Sequence, residues 1–116
     1  MDKVLIIKEL VEKLSDPKYI DLDVVLWFNS KEWTIKKVEI IHSIQIPYGK
    51  ETHIDVFSAS LMPGVEKGRR YSAKTFLEML SVFKSNTPVL LKGEVINDVG
   101  IGVDKKGNRC YIIEVY

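Results

Sequence analysis

The sequence is poor in the residues that usually carry catalysis or bind metals. Its 116 residues include one cysteine, Cys110, and two histidines, His42 and His53. A single thiol cannot close an internal disulfide or build a cysteine-based zinc site. Neither histidine has a neighbouring serine or cysteine nucleophile motif, and no H-E-x-x-H spacing occurs. We therefore expect a protein without metal or cofactor, not an enzyme, in a reducing compartment.

An excess of charge and long apolar runs are also lacking. The chain has 17 basic and 16 acidic residues, so it has no positive excess with which to displace counterions from a long nucleic acid. No stretch approaches the roughly 20 apolar residues of a membrane-spanning helix, and the first apolar run is too short for a signal peptide. We expect a soluble cytoplasmic protein whose partners include neither long nucleic acid nor membrane.

Glycine-rich nucleotide motifs are incomplete. The Gly100-Ile101-Gly102 segment lacks the third glycine and the following helix of a dinucleotide-binding fingerprint, and no G-K-[ST] motif occurs. Because this segment lies within a strand-like pattern, we interpret it as a β-bulge.

One pattern occurs twice along the chain. Residues 8–15 align with residues 74–81, and the apolar run 24–26 aligns with 89–91. Each copy has apolar residues at helical spacing and then strand-like runs, and Ser72 is suited to cap the second helix. The strands are predicted at 22–28, 33–46, 53–61, 89–91, 95–103 and 109–116.

This doubling predicts a single α+β domain over residues 1–116. It consists of two α-β-β-β units that form a mainly antiparallel six-stranded sheet arrangement with two helices. The units would be an internal duplication, 1–62 and 72–116, joined by a loop at 63–71. Chance similarity between two generic helix-then-strand segments remains the alternative. Gly107 is expected to adopt positive φ in the last hairpin loop.

Arginine is scarce and clustered. Only Arg69, Arg70 and Arg109 supplement the lysines, and two of them immediately precede Tyr71 and the second helix. Unpaired N–H groups at a helix N-terminus and an adjacent guanidinium fork suit phosphate or carboxylate. The sequence thus offers a candidate anion site here; the alternative is a solvated loop with ordinary surface charges.

Aromatic side chains offer stacking surfaces for such a ligand. Trp27, Phe28 and Trp33 bracket the first turn, and purine rings stack on faces of this kind. Asn86, just after the second helix, can contact a base edge or simply cap the helix. The candidate ligand-binding residues are Trp33, Arg69, Arg70, Tyr71, Asn86 and Arg109.

The opening of the chain resembles the start of many small phage-encoded proteins of unassigned function. The resemblance rests on Val4 with residues 8–14 and on the run 21–27, Asp-Leu-Asp-Val-Val-Leu-Trp. The layout of two short helices and six strands is also similar to the phage Thoeris anti-defence sponge proteins, which sequester cyclic ADP-ribose-type immune signals without cleaving them. This resemblance implies an oligomer in the host cytoplasm, with aromatic, Asn and Arg side chains around the ligand.

The leading hypothesis is therefore a phage-type binding protein that sequesters an anionic nucleotide signal, of the cyclic ADP-ribose or cyclic oligonucleotide type, and so blocks host defence. The alternative is a protein-interaction or structural module without a small-molecule ligand, which uses exposed strand edges. A third hypothesis is a hydrolase of such nucleotides with His42 as its base. The first two favour a homo-oligomer.

Overall fold

The fold is α+β with two helices, as predicted. The structure is a computed structural model that describes residues 4–48, 52–64 and 70–116, and for 41–48 and 52–57 it describes the backbone alone. Neither described helix is long and apolar enough to cross a membrane. The elements are α1 (Ile7–Leu14), β1 (Asp23–Phe28), β2 (Lys31–Trp33), β3 (Ile35–Tyr48), β4 (Thr52–Pro63), β5 (Tyr71–Ser72), α2 (Ala73–Leu80), β6 (Val89–Leu91), β7 (Glu94–Val95), β8 (Asp98–Val103) and β9 (Arg109–Glu114).

The strands form two mixed sheets. One has the order β2-β1-β9-β8, with β5 also paired to β1, and the other has the order β3-β4-β6-β7. The β1–β9 and β4–β6 pairs are parallel, and the others are antiparallel. Five of the seven strand pairs are antiparallel, but both sheets are mixed, and the described residues form nine strands where six were predicted. Two predicted strands each divide in two, at Thr34 and at 96–97, and the parallel pairs join strands from opposite halves of the chain, which hairpin patterns cannot indicate.

The two halves of the chain have matching topology. In each, a helix precedes a tight hairpin (β1–β2 or β6–β7) and then a second hairpin (β3–β4 or β8–β9), and the last strand pairs in parallel with the first strand of the other half. Both tight turns have positive φ at two residues, Asn29 and Ser30 or Lys92 and Gly93, as the twist of a two-residue hairpin requires. Strands β1 to β4 of the first half thus correspond in order to β6 to β9 of the second half. That the halves arose by duplication stays a prediction.

Both helices and both sheets contribute to one hydrophobic core. Leu10 of α1 and Phe76 of α2 occupy corresponding positions, and both are fully buried. Helix α2 begins at the predicted cap, because Ser72 Oγ accepts a hydrogen bond from the Thr75 N–H at 3.2 Å. In α1 the carboxylate of Glu9 instead accepts from the Ile6 N–H at 3.2 Å. The helices are short, so burial of their apolar stripes stabilises them more than helix propensity does.

The glycine segment of β8 departs from its prediction. Asp98 to Val103 pair with β9 without a register shift, so the predicted β-bulge is wrong. The physical reason lies at Gly102, where a Cβ atom would come within 2.7 Å of Ile112 Cδ1. Glycine leaves room for that side chain to cross β8 in a regular ladder. Gly107 does take positive φ, 82°, in the β8–β9 loop, as predicted.

Candidate functional site

Arg70 lies in a carboxylate cluster of its own chain. Its Nη1 is 2.7 Å from Asp104 Oδ2 and 4.0 Å from Asp23 Oδ2, and its Nη2 is 3.4 Å from Glu32 Oε2. The side chains of Asp104 and Glu32 are buried, whereas Asp23 is about half exposed. The four residues, here called the Arg70 cluster, connect β1, β2, the start of β5 and the β8–β9 loop.

The electrostatics of the Arg70 cluster are those of a structural ion pair. The hydrogen bond from Arg70, aided by the backbone N–H of Asn108, lowers the pKa of Asp104 to about 2. The same hydrogen bond raises the pKa of Arg70. A phosphate at this guanidinium would need to displace Asp104 from it and would meet the negative charge of Glu32. The cluster therefore supports a stabilising role for Arg70 more strongly than an anion-binding role.

The remaining predicted site residues are distributed over several elements. Arg69 lies outside the described residues. Tyr71 belongs to β5 and pairs with Val24, and Trp33 in β2 donates its indole N–H to the Phe28 carbonyl at 2.9 Å. Asn86 occupies an exposed turn after α2, and Arg109 is exposed at the start of β9. The side chains of His42 and His53 also lie outside the described part of the chain.

An aromatic cleft adjoins the β1–β2 turn. It has a volume of about 250 Å³ and is lined by Trp27, Phe28, Asn29, Ser30, Glu94, Val115 and Tyr116. Trp27 is 37% exposed, and the ammonium group of Lys92 lies 5.3 Å from the centre of the Phe28 ring. Small-molecule pockets usually measure about 300–1,000 Å³, so this cleft alone is small for a dinucleotide. Its wall carries Glu94, and Glu114 pairs opposite Trp27, which disfavours an anion.

A second candidate surface is the outer edge of β8. No strand of the described residues pairs with that edge. Within β8, Ile101 is 42% exposed and Val103 is 63% exposed, and no charged residue occurs between Asp98 and Asp104. A regular apolar edge of this kind can accept another strand, since its outward N–H and C=O groups have no ladder partner.

The hydrogen bonds between β8 and β9 determine which backbone N–H and C=O groups of β8 point outward. The Asp104 N–H donates to the Asn108 carbonyl at 2.8 Å. In an antiparallel ladder, hydrogen-bonded pairs recur every second residue, so Gly100 and Gly102 bond inward to β9. The backbone groups of Val99, Ile101 and Val103 therefore face the open edge. These three side chains also share one face of the strand.

The corresponding edge strand of the other sheet differs. Strand β3 is likewise terminal in its sheet, and Ile40, which corresponds to Ile101, is 65% exposed. However, β3 carries Lys36, Lys37 and Glu39 beside Ile40 and has register shifts at 35–37 and 41–44. Charges and bulges are devices that protect edges from further pairing. The two edges are topologically equivalent, but only β8 lacks this protection.

Two functional features were missed from sequence. Asp104 stands next to the last hairpin loop in the sequence, but in the structure it binds Arg70 and accepts hydrogen bonds from the Lys106 and Asn108 N–H groups at 2.8 and 2.9 Å. An Asp opening a short glycine-containing turn is a usable signal for the backbone bonds but not for the distant arginine. The open β8 edge has no signal in the sequence, because the position of a strand within a sheet depends on pairings between distant segments.

Comparison with known protein families, curated proteins and solved structures finds no match for this chain.

Proposed function

We propose that this chain is a non-catalytic protein-interaction module that adds a strand of another polypeptide to the open edge of β8. The observation that carries the proposal is the contrast between the edges, since β8 is regular, apolar and unprotected whereas β3 is charged and bulged. Strand addition obtains affinity from main-chain hydrogen bonds and specificity from alternate side chains. A protein-interaction module is the alternative hypothesis that the sequence leaves open. The geometry favours it over sequestration of an anion.

The edge also defines the chemistry of its partner. Val99, Ile101 and Val103 provide an apolar row, so the added strand should carry apolar residues at alternate positions. Asp98 lies at one end of the edge, and Lys105 and Lys106 follow the other. A partner strand should therefore be basic where it meets Asp98 and acidic where it meets the lysines. No catalytic group is needed for this role.

The proposal predicts binding of a fluorescent peptide that copies residues 97–106. We expect its fluorescence anisotropy to rise on titration with the folded protein. The variant Ile101→Lys should bind at least about tenfold more weakly, because it introduces a charge where the partner presents an apolar side chain. The matched control is Ile40→Lys, at the corresponding position of β3, and it should bind as the wild type does.

Two results would count against this function. One is the absence of any anisotropy change with protein that circular dichroism shows to be folded. The other is equal weakening by Ile40→Lys and Ile101→Lys, because the edge of β8 would then have no special part in binding.

A second candidate is sequestration of an anionic nucleotide signal, as the phage sponge resemblance implies. The observation that favours it is the partly exposed Trp27 in the aromatic cleft, with Lys92 over the neighbouring Phe28. Stacking of a base on an aromatic ring contributes about 1–3 kcal/mol. Isothermal titration with cyclic and linear ADP-ribose derivatives and cyclic oligonucleotides tests this candidate. It predicts heat of binding from at least one of these compounds, and Trp27→Ala should lower the affinity at least about fivefold. The absence of heat from all of these compounds excludes them as ligands.

A further inference from the structure

We infer that the strand added to β8 is β8 of a second copy of this chain, in an antiparallel twofold arrangement centred on Ile101. This inference rests on the proposed function and names the partner of the same edge. In a twofold interface the same surface patch is used by both copies and must complement itself. The β8 edge meets that condition in its backbone, its side chains and its charges.

The backbone groups of β8 select the register. An added antiparallel strand must present outward-facing residues opposite outward-facing residues, so Val99, Ile101 and Val103 must pair among themselves. Placing Ile101 opposite the partner's Ile101 also places Val99 opposite the partner's Val103. All three residues then exchange both backbone hydrogen bonds with a partner. Registers shifted by two residues leave at least one of the three unpaired.

The side chains of β8 match in the same register. Residues opposite each other in an antiparallel pair project from the same face. Ile101 would meet its own counterpart, and the exposed Val103 would meet the half-buried Val99 of the other copy. Gly100 would lie opposite the partner's Gly102, so between Val99 and Val103 β8 itself adds no side chain to the other face. Apolar area that water now contacts would be covered on both copies, which favours association.

The charges at the ends of the edge also complement each other. Asp98 begins β8, and Lys105 and Lys106 follow it. The antiparallel arrangement brings the beginning of one edge near the end of the other, so that the Asp98 carboxylate approaches the turn that carries Lys106 in the second copy. Asp98 would also face the partner's Asp104, but that carboxylate is already bound by Arg70 and two turn amides. The net interaction between the ends is therefore attractive, and it should weaken as salt is added.

An intermolecular disulfide tests the register directly. Opposed residues of a hydrogen-bonded antiparallel pair have Cα atoms about 5.5 Å apart, which lies within the range of about 4.4–6.8 Å that a disulfide spans. Under mild oxidation Ile101→Cys should give a covalent dimer on non-reducing gels. Ile40→Cys, exposed on β3, is the matched control and should stay monomeric on the gel. The native thiol does not interfere, because Cys110 is buried and its burial raises its pKa to about 11.

Mass and hydrogen exchange test the same arrangement without new cysteines. Light scattering should give twice the chain mass for the wild type at high concentration and the single mass for Ile101→Lys and Val103→Lys. In the dimer the Ile101 and Val103 amides should exchange at least about tenfold more slowly than in Ile101→Lys. The Gly100 and Gly102 amides bond to β9 in either state, so they serve as internal controls.

The outcomes separate the two proposals. A wild type that stays monomeric at high concentration, or a dimer that Ile101→Lys and Val103→Lys leave intact, overturns the second copy as partner. If the peptide of residues 97–106 still binds in an Ile101-dependent manner, the interaction function stands and the partner is another protein. If neither the peptide nor a second copy engages the edge, both proposals fall.

Discussion

Replacing Arg70 with methionine is expected to lower the free energy of unfolding by about 2 to 3 kcal/mol. The substitution keeps an unbranched apolar stem but removes the guanidinium that binds Asp104 and Glu32, whose side chains are buried. The carboxylates of Asp104 and Glu32 would then lie close together without a cation. The expected loss is smaller than the cost of about 3–5 kcal/mol for breaking a fully buried pair, because Arg70 itself is partly exposed. Urea denaturation followed by circular dichroism at neutral pH measures the loss.

Arg109→Met is the matched control for this change. Arg109 is exposed, so the same substitution there should alter stability by no more than about 0.5 kcal/mol. Equal losses for the two variants would show that Arg70 does not stabilise the fold through its carboxylates. The nucleotide hypothesis would gain if Arg70→Met preserved stability and abolished ligand heat.

The effect of Arg70→Met should also depend on pH in a defined direction. The folded pKa of Asp104 is lowered to about 2, below the usual carboxyl value of about 3.9. Its contribution is therefore present above the usual value and is lost as pH falls through the folded value. The stability difference between wild type and Arg70→Met should be largest near neutral pH and shrink as pH falls from about 4 towards 2.

Replacing Phe76 with alanine is expected to cost about 3–5 kcal/mol. Phe76 is fully buried in the centre of α2 and belongs to the core shared by both helices and both sheets. Removal of the ring takes away its transfer free energy and leaves a cavity that surrounding β-strands can fill only in part. A loss of this size approaches the entire stability of a small domain, so thermal unfolding should show a lower midpoint or no cooperative transition.

Two control variants show whether that loss arises from burial. Leu10→Ala removes the corresponding side chain of α1, which is also fully buried, and should cost about 2–5 kcal/mol. Val82→Ala lies just after α2 at 81% exposure and should change stability by no more than about 0.5 kcal/mol. A small loss for Phe76→Ala, comparable to that of Val82→Ala, would contradict the position of α2 in the core.

Local sequence patterns correctly predicted the two helices, the first strand and the last turn. The apolar stripes of α1 and α2, the Ser72 cap, the run that became β1 and the positive φ of Gly107 all depend on residues within a few positions of each other. The division of 33–46 at Thr34 was missed, because an apolar strand pattern continues across that residue while the chain passes from one sheet to the other.

Pairings between distant segments could not be predicted from local patterns. Nothing near Val24 in the sequence indicates that Tyr111 lies beside it in a parallel pair. Parallel pairs obtain their stability from side chains that become neighbours only after the two halves pack together. For this reason the sequence predicted two helices and six strands but not the two mixed sheets that the strands form.

In the candidate site, too, some features depend on neighbouring residues and others on contacts between distant segments. Composition and neighbours along the chain establish that there are few groups for catalysis, that Arg69 and Arg70 stand together, and that Gly100-Ile101-Gly102 lies among strand residues. Tertiary packing brings Arg70 to Asp104 and Glu32, and it leaves β8 at a sheet edge while β9 is enclosed. The charge available to a ligand and the backbone groups available to a partner depend on which segments fold against them, and those segments are far away in sequence.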